Sequence, residues 1–314
     1  MRSLVPRSSA LRAAAWGAVV AGVAVPLVRR RARIPPPVVT AVASAAPFGL
    51  AVALPRSRAR DVALCCLQMY AYTVTYKMPH DDPEALERRA FVDYPVRVDR
   101  VLGLGQLPNV RLQRRFAAPG RIRPHERVLV WTHWVWFLFP HGTVAYMLLR
   151  RPERFPRTAA MTYAVFDLGL IGYWGVPTAP PWYASEQGRL GEGGDVAVRR
   201  MMLEYGQEFW KGGWGPLYSV LGGNPLAAMP SLHFATSLMA AHLLAEAGPL
   251  EGAIGWTYAL TLGLALVYLG EHYVVDLLAG TALTEGIRAA APRVAPALAA
   301  AGRAVQALEA RARA

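Results

Sequence analysis

The chain has 314 residues, 54% of them apolar and only 18% charged, with a mean hydropathy of +0.23. An ordinary soluble domain is about 25% charged, so this composition excludes a typical water-soluble globule, and its apolar content excludes a disordered chain. The formal net charge is +13, but its arginines fall in short clusters between apolar runs rather than on one basic face. That argues against nucleic-acid binding and for the marking of a cytoplasmic membrane side.

Eight apolar stretches follow one another at 13–28, 36–54, 61–76, 128–149, 158–176, 231–247, 252–270 and 273–290. A span needs about 20 residues, so the chain reads as all-α: a polytopic integral membrane helix bundle. The first stretch follows Arg2, Arg7 and Arg12 and is succeeded by Arg29, Arg30 and Arg31. It lacks a small-residue cleavage site, so it is expected to remain as a membrane segment. Cys65 and Cys66 are adjacent within the third stretch and suggest neither a disulfide framework nor a zinc site.

Two polar regions interrupt the pattern, at 77–126 and 184–222. Within the first, 91–116 alternates hydrophobic and basic residues, as a segment lying near anionic lipid would. Within the second, Val198, Met201, Met202, Tyr205 and Phe209 recur at helical spacing opposite Arg199, Glu204 and Glu208. That pattern predicts a helix on the membrane surface. The expected division is therefore 1–60 as N-terminal membrane segments, 61–290 as a membrane core carrying both polar insertions, and 291–314 as a basic cytoplasmic tail.

Orientation follows from the arginines. The linker at 150–157 holds four, and with Arg56, Arg58, Arg60 and the tail it should be cytoplasmic. Counting spans then puts 177–230 and 270–273 outside. One cluster disagrees, because eight spans also put Arg29–Arg33 outside.

Polar residues are costly at membrane depth and usually functional. His133, His141 and Asp167 lie in apolar runs. They either line a headgroup pocket or staple two helices by mutual pairing. His133 and His141 would stand about 80° apart on one helix. Trp131, Trp134, Trp136, Trp174, Trp182, Trp210 and Trp214 lie near span boundaries, as an aromatic belt does.

Three outer segments stand out: 173–183 (YWGVPTAPPWY), 230–235 (PSLHFA) and 270–276 (GEHYVVD). His272 and Asp276 are i and i+4, so a helix would put them on one face. The carboxylate can then fix the imidazole tautomer and leave the other nitrogen as a nucleophile. The alternative is a His–Asp pair that only ties two helices. Pro230 and Ser231 look like a helix start, which puts His233 in a first turn, where free N–H groups favour phosphate. His242, nine residues on, points the other way and reads as structural.

PSLHFA followed by HYVVD resembles the membrane type 2 phosphatidic acid phosphatase superfamily. Leu232 and the preceding PTAPPWY resemble its inositol phosphorylceramide synthase and bacterial inositolphosphotransferase-like branch. The resemblance covers about 130–290. It implies a six-helix phosphatase-type core, with extra N-terminal helices, and a reaction without metal or cofactor. It assigns His272 as the nucleophile that forms a phosphohistidine, Asp276 as its orienting partner and His233 as the acid for the leaving alkoxide. Two departures stand out: Lys-x6-Arg-Pro is missing, and the usual Ser-Arg before the last motif is Ala265-Leu266. Phosphate needs cations, and Arg189, Arg199, Arg200 and Lys211 are the candidates. With Ser231, Trp182 and Tyr183 they form the expected substrate-binding set.

The expected function is transfer of a phosphoinositol-type headgroup at the outer leaflet of the cell membrane, on a phospholipid or polyprenyl-phosphate substrate. The alternatives are a lipid phosphate or isoprenyl pyrophosphate phosphatase, and a non-catalytic scaffold or lipid transporter of the same fold.

Overall fold

The computed structural model describes residues 7–190, 198–221 and 223–314. Among them the regular structure is helical, with three isolated β-bridges. The chain forms two compact units, Met1–Asp81 with Arg288–Ala314, and Asp82–Ile287. The helix α3, counted with the core in the sequence, falls in the first unit.

The first unit contains α1 (Arg7–Val28), α2 (Pro36–Ala53), α3 (Arg58–Lys77) and the C-terminal part of the last helix. Fully buried Ala43 and Ala46 line the packed face of α2, where small side chains let apolar helices approach closely. Ser57 caps α3, its hydroxyl accepting from the Arg60 N–H. Buried Arg60 donates to the carbonyls of Ala51 and Leu54 and pairs with Glu309 at 3.2 Å. At the other end, Arg29 and Arg30 both bind the Asp81 carboxylate, at 2.8 and 2.5 Å. Burial pushes Asp81 up, but the two guanidiniums outweigh it and hold it below the usual carboxylate range. Two cations of the discordant Arg29–Arg33 cluster are thus matched by an acid that a loop-by-loop arginine count overlooks.

The second unit runs through α4 (Pro83–Arg89), α5 (Asp93–Leu102), α6 (Pro108–Phe116), α7 (Pro124–Val135), α8 (Phe139–Arg150) and α9 (Phe155–Gly175). It continues with α10 (Pro181–Glu186), α11 (Met201–Trp210), α12 (Trp214–Leu221), α13 (Leu232–Ala247), α14 (Pro249–Tyr268) and α15 (Val274–Arg311), of which residues from Arg288 belong to the first unit. Among the described residues α1, α2 and α14 are long and apolar enough to cross a membrane by length and composition alone. On α14 the two faces separate cleanly. Leu250, Ile254, Leu260 and Leu264 are exposed, whereas Ala259, Leu262, Ala265 and Leu266 are fully buried.

Two expectations change. The stretch 128–149 is not one helix but α7 and α8, because Pro140 near the start of α8 has no N–H to bond four residues back. The apolar face of α11 is largely covered by protein, with Phe209 at its end left exposed. Met201, Met202 and Tyr205 pack on Val130, Trp214, Tyr268 and Leu269 inside the unit. Helical spacing shows that a face is apolar but not what covers it. Trp134 joins this aromatic cluster, 5.6 Å from Tyr205 and 5.7 Å from Trp214, rather than a belt.

Candidate active site

The site is built where the starts of α13 and α15 meet. The chain leaves α14 through Gly270, whose φ of +79° is a left-handed value that favours glycine. The turn is tight: the N–H groups of Glu271 and His272 both donate to the Leu266 carbonyl, at 3.0 and 3.1 Å. His272 therefore stands just before α15 and not on it. Its Nδ1 still lies 3.2 Å from Asp276 Oδ2, which also accepts from the Tyr273 N–H at 2.9 Å. His272 is 3% exposed and Asp276 is fully buried.

Ser231 joins the second helix start to the first. Its hydroxyl accepts from the Phe234 N–H, and its own N–H donates to the Asp276 carbonyl at 3.0 Å. Gly280 permits this approach, since a Cβ there would lie 2.7 Å from the Ser231 carbonyl oxygen. Thr284 donates to the Ala235 carbonyl one turn further along. With the helices so joined, His233 Nδ1 sits 3.1 Å from His272 Nε2. Asp276 holds the proton on His272 Nδ1, which leaves the Nε2 lone pair to accept from His233 Nδ1–H. An oriented base and a neighbouring acid are thus in direct contact. Trp136 and His133 wall the His233 ring at centroid distances of 4.1 and 4.8 Å.

Three residues that the sequence reading missed hold the turn in place. Asn109 Nδ2 donates to the carbonyls of Val267 and His272, at 2.7 and 2.9 Å. Gln113 Nε2 donates to those of Tyr268 and Arg199, and its Oε1 accepts from the Arg199 N–H. Asp99 accepts from the N–H groups of Val274 and Val275, at 2.8 and 2.9 Å, so it caps α15 from another helix. All three are buried. Their signal in the sequence is a polar residue within an apolar helical face: Asp99 beside Pro95 and Val96, and Asn109 and Gln113 around Val110.

The four candidate cations are placed differently. Arg200 is largely buried, stacked 3.6 Å over the Trp182 ring and 3.7 Å from Glu271, the neighbour of His272. Burial raises the Glu271 pKa, and Arg200 opposes that rise. Arg199 is taken up by Glu204 and the Ala118 carbonyl, and half-exposed Arg189 by Asp93 at 2.5 Å. Lys211 is exposed. The PTAPPWY segment is a rail: Thr178 exchanges backbone bonds with Leu226 and Ala228, and Ala179 donates to the Phe91 carbonyl. That rail seats Trp182, whose N–H donates to the Gly270 carbonyl at 3.1 Å. Tyr183 packs on Leu86, Ala179 and Leu226, away from the histidines.

His133, His141 and Asp167 do not form one pocket. His133 joins His233, His141 stacks on Phe166 at 5.6 Å, and Asp167 is exposed on α9. His242 pairs with Glu285 at 2.7 Å.

A model of the PAP2 superfamily matches residues 96–290, which include every residue of this constellation. The chain belongs to the PAP2 superfamily. It is similar to the inositol phosphorylceramide synthase of Candida albicans, with 27% identity over 165 residues, half of this chain and 34% of that protein. The chain thus matches about a third of the length of that curated relative. No solved structure matches it.

Proposed function

We propose that the protein transfers a phosphoinositol-type headgroup between lipids through a covalent intermediate on His272. The observation that carries this reading is the His233–His272–Asp276 chain, with contacts of 3.1 and 3.2 Å. Substrate entry displaces the His233 hydrogen bond from His272 Nε2 and frees the lone pair. That nitrogen attacks phosphorus, the N–P bond forms, and the ester bond to the leaving lipid breaks. Its alkoxide takes a proton from His233, which enters this step as the imidazolium and leaves it neutral. The acceptor hydroxyl then attacks, returns a proton to His233, and the N–P bond breaks. Asp276 stabilises the positive charge on His272 throughout. Arg200, seated on Trp182, faces the phosphate charge.

Headgroup transfer is favoured over hydrolysis by the PSLH and PTAPPWY motifs and by the name of the Candida relative. The aromatic wall around His233 supports it too, because it limits water at the reacting hydroxyl. The arginine clusters support a multi-pass protein of the cell membrane with this site on its outer face. Purified protein incubated with phosphatidylinositol and lipid-alcohol acceptors tests the reading. Transfer to an acceptor is the expected result, and release of inositol phosphate with no acceptor product refutes it in favour of a hydrolase.

A further inference from the structure

His133 walls the His233 ring but touches no reacting atom in the mechanism above. It lies on α7, is 3% exposed, and neither ring nitrogen has a hydrogen-bond partner among the described residues. Buried polar atoms are almost always paired, and those left unpaired need an explanation. Packing alone would not select this side chain, since an apolar ring of similar size would fill the space without two orphaned nitrogens.

Its position supplies the explanation. The His133 ring stands 4.8 Å from the His233 ring, which stands 5.3 Å from that of His272. It is also within electrostatic range of His272 and Arg200. His133 and His272 thus both border the ring of His233. Arg200 and His233 already serve the phosphate and the proton. The group without a holder is the attacking alcohol. Its oxygen must give its proton to His233, aim one lone pair at phosphorus, and still has a second lone pair to place. A neutral imidazole carries one N–H donor, which suits that second lone pair.

We propose that His133 binds the acceptor hydroxyl in the second half-reaction, its N–H donating to the attacking oxygen. This rests on the covalent mechanism proposed above. The hydroxyl oxygen forms its bond to phosphorus, the N–P bond to His272 breaks, and the hydroxyl proton passes to His233. His133 changes neither protonation nor covalent state. Because His233 meets the leaving and the attacking oxygen at the same place, opposite His272 Nε2, the same N–H also lies against the leaving ester oxygen in the first step.

The two half-reactions can be read separately. The full chain in lipid nanodiscs is given phosphatidylinositol tritiated in its inositol ring. Protein-bound label reports the first step, and its loss on adding ceramide, or water alone, reports the second. His133→Ala is expected to take up label and to lose it to ceramide each at least about tenfold more slowly than the parent. A thermal melt in the same nanodiscs shows that the variant is folded. His133→Asn keeps a side-chain N–H donor and is expected to restore most of the ceramide rate. The proposal is overturned if His133→Ala leaves the ceramide chase unchanged, or if Asn rescues nothing. If the parent itself takes no label, the covalent mechanism fails and His133 loses this role with it. If the parent labels and His133→Ala chases normally, only the role of His133 fails.

Discussion

Replacing Asp99 by asparagine separates stability from turnover. The carboxylate is fully buried and spends one oxygen on each of the Val274 and Val275 N–H groups. Burial pushes its pKa up to about 6, the two backbone bonds oppose this, and Asp276 adds repulsion. An ordinary aspartate titrates near 3.9. The native state therefore binds this proton more tightly than the unfolded chain, and ionising Asp99 costs stability as pH rises from about 4 to about 6. The cost at pH 7 is at most about 3 kcal/mol, and about 2 kcal/mol after allowance for solvent screening. Asparagine removes that charge and, like the protonated acid, presents a donor to one of the two N–H groups, so the variant should match the parent near pH 4. At pH 7 it should be more stable by about 2 kcal/mol, the difference growing between pH 4 and pH 7. Meanwhile α15 loses half its cap and the His272 turn loosens, so kcat should fall about 10–100-fold. The parent should also show an acid limb in turnover near pH 6 that the variant lacks. Thermal unfolding and kcat across a pH series check both. A pH-independent stability difference, or a variant that keeps the parent kcat and acid limb, refutes the reasoning.

Three further outcomes follow from the same geometry. Asp276→Asn should lower kcat about 10⁴-fold with little change in KM, because it frees the His272 tautomer; steady-state kinetics decide, and a change confined to KM would contradict it. Gly280→Ala puts a methyl 2.7 Å from the Ser231 carbonyl oxygen, so α13 and α15 must part slightly and kcat should drop about 10–100-fold; activity assays and a thermal melt distinguish this from simple unfolding. Arg200→Ala should reduce kcat/KM about 10²–10³-fold, whereas Arg189→Ala and Lys211→Ala should stay near the parent; the reverse ranking would move the phosphate cation elsewhere.

The sequence shows the helical membrane class through apolar run length, and the His–His–Asp set through motif spacing. Both are local signals. It does not show that His272 precedes its helix, because the turn depends on the backbone of Gly270 and Leu266 rather than on a periodicity. Among four plausible cations it cannot choose Arg200, because the choice rests on Trp182 and Glu271, which come from separate segments. Reading 91–116 as a lipid-facing segment accounts for exposed Val101 and Leu104. It misses the other side, where Asp99, Asn109 and Gln113 reach residues far along the chain.

That reach sets an order of assembly. The bonds from Asn109, Gln113 and Asp99 to the catalytic turn close sequence separations of 155 to 176 residues. Helices form locally and early, whereas such distant contacts carry the largest loop-closure cost and form late. During synthesis α5 and α6 emerge first and wait for partners that come only with the end of α14 and the start of α15. A nascent chain already in the bilayer would thus hold His233 on α13 without the turn that carries His272. Competence to attack a lipid phosphate ester is therefore expected as the last property the protein acquires.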